Sequence, residues 1–196
     1  MGDIVREYQA KYQHIVYKKI ENKGIAANTN AAAELASGEY LALADHDDIL
    51  APHAMYTMGQ AIRQLREAGE PDGFLYSDEA LFTKKIEKPL VAHFKPDYAP
   101  DYLLCCNYIC HLAVFRRELF EQVGGERPEC DGSQDHDLFL RLIEQVGGAA
   151  HVPQVLYYWR VHEGSTSGGT DAKPTLPKRQ RRRWPTIWSA PAVPAP

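Results

Sequence analysis

Apolar residues recur at Ile4, Val5, Tyr8 and Tyr12 in "DIVREYQAKYQ", a spacing that predicts an amphipathic helix over residues 3–13. The next stretch, "HIVYKKI", alternates and is rich in β-branched residues, which predicts a strand over 14–20. "ENKGIAANTN" reads as a loop, with Gly24 free to take a conformation closed to other residues. "NAAAELAS" predicts a short alanine-rich helix capped at Gly38, and "EYLALA" a buried strand. Strand, helix and strand in that order predict a parallel crossover.

The same reading continues downstream. "APHAMYTMGQAIRQLREAG" predicts a helix with Pro52 in its first turn and Gly69 at its end. "GFLYSDEA" predicts a strand that finishes in Asp78 and Glu79. Pro96 and Pro100 break "KPDYAPDYLLCCN" into a loop leading to a short helix. "ICHLAVFRRELFEQVGG" gives a strand and then a helix with a glycine stop. "SQDHDLFLRLIEQVG" is a helix with Leu138, Leu142 and Val146 at four-residue steps and two acids, Asp135 and Asp137, in its first turn. "AAHVPQVLYYWRVHEGST" predicts a strand followed by a polar loop. The alternation is that of an α/β fold, in which ligands bind beyond the carboxyl ends of the strands.

From about Lys173 the pattern stops. "KPTLPKRQRRRWPTIWSAPAVPAP" has a basic run, two tryptophans and many prolines but no period. A basic run can bind nucleic acid or an anionic membrane. With permitted codon choices the tail back-translates into DNA whose neighbouring frame reads as an amphipathic helix, so an irregular tail over 173–196, disordered or frameshifted, is the expectation.

Composition narrows the class. A chain of 196 residues that is 44% hydrophobic can bury the core of one domain. A net charge of −4 argues against nucleic acid as the main partner. No apolar leader core and no run of about 20 apolar residues is present, which predicts a cytoplasmic protein. The cysteines, Cys105, Cys106, Cys110 and Cys130, form no CxxC pair, and buried reduced thiols are expected.

The chemistry concentrates in "GEYLALADHDDIL", where a buried-looking strand runs into Asp45, His46, Asp47 and Asp48. Clustered carboxylates near a core need water, donors or a cation to compensate them. Asp45 and Asp47 have the Asp-x-Asp spacing that can hold Mn2+ or Mg2+ while phosphate oxygens complete the shell. On this segment alone, helix capping by aspartate, with Asp48 before "ILAP" as the cap, is an equal reading.

"NKGIAANTNAAAELASGEYLALADHDDILAPHAM" resembles the central part of inverting family 2 glycosyltransferases. The resemblance continues through "YSDEA", "FKPDYAPDYLL", "NYICHLAVFRRELFEQVGG", "GSQDHDLFLRL" and "VLYYWRVHEGST", and is closest to the bacterial rhamnosyltransferase-like branch. It implies a GT-A fold, a Rossmann-like mixed sheet flanked by helices, and transfer of a sugar from a nucleotide-diphosphate donor, UDP- or dTDP-linked, to a glycan or lipid-linked glycan acceptor. It places Asp45 and Asp47 as the metal and sugar-nucleotide pair, and His162 as a late histidine assisting metal or diphosphate. Asp135 becomes the general base, with Asp137 as runner-up. Arg160 or Ser165 would touch phosphate, and Asn28 and Asn30 would lie near the nucleotide. Asp78 and Glu79 would shape the donor or acceptor site, and Tyr157, Tyr158 and Trp159 could stack on sugar.

Family members open with a strand, a helix and a second strand that make much of the base pocket. This chain aligns from after them. The resemblance therefore implies a partial GT-A domain over 1–172, with exposed strand edges that a partner copy could cover. A catalytically incomplete remnant, or a sugar- or metal-binding module, is the alternative function; a metal-dependent phosphohydrolase is a third. A lipid-linked acceptor would place the protein at the inner face of a membrane.

Overall fold

A computed structural model of the protein describes residues 2–162; the tail over 173–196 and Ser165 lie outside the described residues. Six helices are present among them: α1 (Gly2–Lys11), α2 (Ile25–Ala33), α3 (Ala54–Ala68), α4 (Pro100–Cys105), α5 (Arg117–Gln122) and α6 (Gln134–Val146). Six strands accompany them: β1 (Tyr40–Leu43), β2 (Ile49–Leu50), β3 (Phe74–Phe82), β4 (Val91–His93), β5 (Ala113–Arg116) and β6 (Ala150–Arg160). A short 3-10 turn spans Pro128–Cys130. No helix among the described residues is long and apolar enough to cross a membrane.

The strands form one mixed sheet in the order β1-β5-β3-β6-β2, with β4 on the outer half of β3. Only β3 and β6 pair in parallel; β5 is antiparallel to both β1 and β3. The predicted parallel crossover from residues 14–20 into β1 is corrected: residues 14–20 form no strand, and β1 pairs with β5, antiparallel.

Alternation along the strands divides the core between the two faces. Phe74, Tyr76, Ala113 and Phe115 point to the face covered by α5 and α6, where Phe120, Leu138, Phe139 and Leu142 meet them. Leu75 and Val114 point to the other face, against Ala54 and Met58 of α3. Gly69, at φ 70, ends α3 as its sequence position predicts.

Three local expectations are corrected. Residues 14–20 form no strand: no strand among the described residues pairs with them, and Val16 is 63% exposed. An alternating pattern cannot form a ladder without a neighbour. The alanine-rich helix begins at Ile25 rather than at Asn30, and ends before Gly38 can cap it. Its cap comes from far away in the chain, because the Asp131 carboxylate accepts the Ala26 N–H at 2.9 Å. The thiols are free as expected, but Cys105 and Cys106 are exposed and Cys110 and Cys130 only partly covered.

The largest correction concerns β3. Asp78 and Glu79 do not close the strand; it runs on to Phe82, and both acids are 2% exposed in mid-strand. Each is satisfied by named partners. Asp78 accepts the Lys95 N–H at 2.9 Å and meets His151 Nε2 at 2.9 Å. Glu79 takes the Lys95 ammonium at 3.2 Å and the His111 N–H at 3.2 Å. The same ammonium donates to the carbonyls of Ile109, at 2.6 Å, and His111. Burial pushes the Lys95 pKa down, and the Glu79 charge opposes that shift.

Removing one partner of a buried ion pair leaves the other uncompensated. Lys95→Met is therefore expected to lose about 3–5 kcal/mol in urea denaturation, whereas Lys85→Met, on an exposed turn, should stay within about 0.5 kcal/mol.

Candidate active site

β1 delivers the chain to Asp45, and the following turn reverses it into β2. The three carboxylates of that turn have different surroundings. Asp48 braces the turn: its Oδ2 accepts the Tyr157 hydroxyl at 2.6 Å and its Oδ1 accepts the Arg160 N–H at 2.7 Å. The Tyr157 hydroxyl in turn accepts the Asp45 N–H at 3.0 Å. Arg160 adds a bond from Nε to the Asp47 carbonyl at 2.6 Å. Asp48 therefore ties the turn to β6 rather than capping α3. Burial raises its pKa, against the bonds from Arg160 and Tyr157.

Asp47 Oδ2 meets His162 Nε2 at 2.9 Å. Burial would raise the Asp47 pKa, but the bond from His162 and its own backbone N–H outweigh it and bring the carboxyl below its ordinary range. The Asp45 side chain is 61% exposed, and His111 Nε2 stands 3.7 Å from its Oδ2. The His111 ring stacks on Tyr157, with centroids 4.7 Å apart. Its Nδ1 is buried without a hydrogen-bond partner among the described residues.

Asp45 and Asp135, far apart in sequence, line one cavity of about 460 Å³. Thr29 of α2, His111, Glu126 and Trp159 contribute to its walls. Asp135 stands in the first turn of α6, where negative charge is favoured by the helix dipole. Its Oδ2 accepts a hydrogen bond from Asn107 at 2.8 Å, and the Asn107 Oδ1 accepts the Cys110 N–H. Asp137, two residues on, is differently placed. It bonds Arg141 at 2.9 Å and faces Arg127 at 3.6 Å, and it does not line the cavity.

Of the other predicted site residues, Trp159 lines this cavity, whereas Asn28, Asn30, Asp47, Asp78, Arg160 and His162 do not. Asn28 bonds Asn22 at 2.9 Å. Asn30 donates to the Glu126 carbonyl and accepts the Glu126 N–H, both at 2.8 Å. Asp78 is spent on Lys95 and His151 in the sheet. Arg160 lies over the Phe82 ring, 4.5 Å from its centroid, besides holding Asp47. Among the described residues no three His, Cys, Asp or Glu side chains converge as a ready-made metal cage.

Sequence reasoning missed Asn107, His111 and Glu126. Asn107 and His111 sit in the apolar run "CCNYICHLAVF", where nothing in the pattern separates a cavity residue from a satisfied polar one. Glu126 follows a glycine pair and reads as an ordinary loop charge.

The family described as "Glycosyl transferase family 2" matches residues 2–124. "Uncharacterized protein y4gI" of Sinorhizobium fredii is 37% identical over 186 residues, covering 93% of this chain and 20% of that protein. "O-antigen biosynthesis protein RfbC" of Myxococcus xanthus is 33% identical over 171 residues, 87% of this chain and 13% of the other. The chain thus spans a fifth or less of the length of these two relatives. Among solved structures, S. aureus TarS 1-349 in complex with UDP-GlcNAc superposes with a TM-score of 0.69 at 16% identity, over 97% of this chain and 55% of that one. Mannosyltransferase PcManGT from Pyrobaculum calidifontis, in complex with GDP-Man and Mn2+, gives 0.62 at 16% identity, over 98% and 52%. These two likenesses concern the fold, which is that of the GT-A glycosyltransferases. With the family match extending over more than half of its residues, the chain belongs to glycosyl transferase family 2.

Proposed function

We propose that this chain carries the metal-binding and acceptor-activating part of an inverting glycosyltransferase that moves a sugar from a nucleotide diphosphate to a growing surface glycan. The observation that carries the reading is the shared cavity of Asp45 and Asp135. Its lining offers an exposed carboxylate, Asp45, and an acid at a helix N-terminus, Asp135. That is the division a displacement at a sugar carbon needs.

In this reading Asp135 is the general base. It takes the proton from the acceptor hydroxyl as that oxygen bonds to the anomeric carbon, and the bond from that carbon to the diphosphate breaks on the opposite side. A single displacement inverts the anomeric centre. Asn107 positions the base, since its bond to Oδ2 fixes the carboxylate plane and leaves Oδ1 for the hydroxyl. Asp137, neutralised by Arg141, is the poorer base.

Asp45 and Asp47, with His162 beside Asp47, are the residues that would hold Mn2+ or Mg2+. The two carboxylates are hard oxygen donors that would suit either ion, with the His162 imidazole at their edge. Bound there, the ion neutralises charge on the departing diphosphate. Arg160 keeps Asp47 in place and lies close enough to the turn to meet phosphate. The GDP-Man and Mn2+ in the PcManGT complex and the UDP-GlcNAc in the TarS complex support a nucleotide-sugar donor. The RfbC relative supports a surface-polysaccharide acceptor.

Calorimetry with UDP and dTDP, with and without Mn2+, tests the reading. Manganese-dependent binding of one of them is expected, weakened at least tenfold in Asp47→Ala. A folded chain that binds neither would overturn it. Where transfer to an acceptor glycan is measured, Asp135→Asn should lower kcat by about 10²–10⁴ while leaving nucleotide affinity unchanged; an equal loss in Asp137→Asn alone would reassign the base. Tyr157→Phe removes the hydroxyl that joins Asp45 to Asp48. It should cost about 1–3 kcal/mol of stability in urea and weaken the manganese-dependent binding.

A further inference from the structure

Glu126 is an anomaly in this cavity. It is 3% exposed, it lines the cavity with Asp135, and its Oε2 is buried with no hydrogen-bond partner among the described residues. A buried polar atom left unpaired is destabilising. Such an atom needs an explanation, and a group bound from outside the chain is one.

The side chain is not needed to shape its own loop. Asn30 clamps the Glu126 backbone on both sides, through the N–H and the carbonyl. Arg141 holds the carbonyls of Val123 and Gly125 at 2.8 Å each. Gly125 makes the close approach possible: its φ is +70, and a Cβ there would stand 2.5 Å from Asn30 Oδ1. The loop is therefore fixed by backbone contacts, and the carboxyl is presented to the cavity by a rigid support.

The charges around it restrict what could bind. Asp135 and Asp131 raise the proton affinity of Glu126, while Arg141 and a hydrogen bond from Thr29 lower it. Burial is the largest influence, and the carboxyl is pushed up to about 7. Two further acids nearby disfavour an anionic ligand. A hydroxyl suits the site in both protonation states, donating to a carboxylate or accepting from a carboxylic acid.

We propose that Glu126 is a specificity-determining contact that bonds a hydroxyl of the hexose held in this cavity. The inference rests on the glycosyl-transfer reading above. The hexose is the transferred sugar of the donor or the terminal sugar of the acceptor, and binding measurements distinguish the two.

UDP, UDP-N-acetylglucosamine and methyl N-acetylglucosaminide would be titrated, with Mn2+, into the full chain and its Glu126→Leu and Glu126→Gln variants. The Leu variant is expected to keep UDP affinity within twofold and to lose at least tenfold for one sugar ligand, with Gln falling between. A loss confined to the sugar nucleotide assigns the donor; a loss on the glycoside assigns the acceptor. Affinities unchanged for both sugar ligands, with UDP still bound, would overturn the proposal alone. Failure of the wild-type chain to bind either UDP or dTDP overturns the glycosyl-transfer reading instead.

Thermal unfolding tests the same residue without any ligand. The folded carboxyl binds its proton more tightly than the unfolded one, whose ordinary value is 4.5. The folded state therefore loses stability as pH rises from about 4.5 through about 7. Glu126→Leu should remove that slope and raise the melting temperature, more at pH 8 than at pH 5. A lowered melting temperature at both pH values would show a structural role and overturn the proposal.

Discussion

The site depends on one buried ion pair. Glu79 sits within the longest run of buried residues in the sheet, and the Lys95 ammonium is its counter-charge. Once placed there, that ammonium has hydrogens left over, and they reach the carbonyls of Ile109 and His111. Glu79 also accepts the His111 N–H. The segment that carries Cys110 and His111 into the cavity is thus fastened to β3 by charge rather than by a strand ladder. A pair so enclosed contributes little net stability, because desolvation offsets its attraction. Its effect is positional: it decides where an irregular stretch of backbone lies.

The acidic turn shows how neighbouring residues of one type acquire different work. Asp48 is consumed by the hydroxyl and N–H groups of β6, which makes it a structural anion. Asp47 is half-open and paired to an imidazole. Asp45 projects into the cavity with its backbone held by Tyr157 and its carboxylate largely hydrated. Fixing the backbone while leaving the carboxylate exposed gives a charge that is positioned without being neutralised. A second acid lining the same cavity, Asp135, is oriented by a bond from Asn107.

Much of this was legible in the sequence and some was not, for identifiable reasons. The helices with long apolar periods, α3 and α6, were readable because their burial repeats every turn, and the glycine at the end of each marks its stop. Asp45 and Asp135 were readable from the motifs around them, but their meeting in one cavity was not. The start of α2 was misplaced because its cap, Asp131, belongs to a distant loop. Residues 14–20 had the alternation of a strand without a ladder partner among the described residues. Asp78 and Glu79 looked like the end of a strand because charge normally marks solvent, and their buried partners, Lys95 and His151, lie elsewhere in the chain.

The wall formed by α2 carries a consequence for assembly. Ala26 is its only buried residue, so hydrophobic contact does little to hold it. It is suspended instead from the loop over 126–131, by Asp131 at its first turn and by Asn30 near its last. A nine-residue helix of this composition is too short to persist on its own in water. During synthesis, then, one side of the cavity must wait, unformed, until chain made more than a hundred residues later has folded against the sheet. The cavity is a late product of folding, and its shape reports on whether both halves of the chain have met.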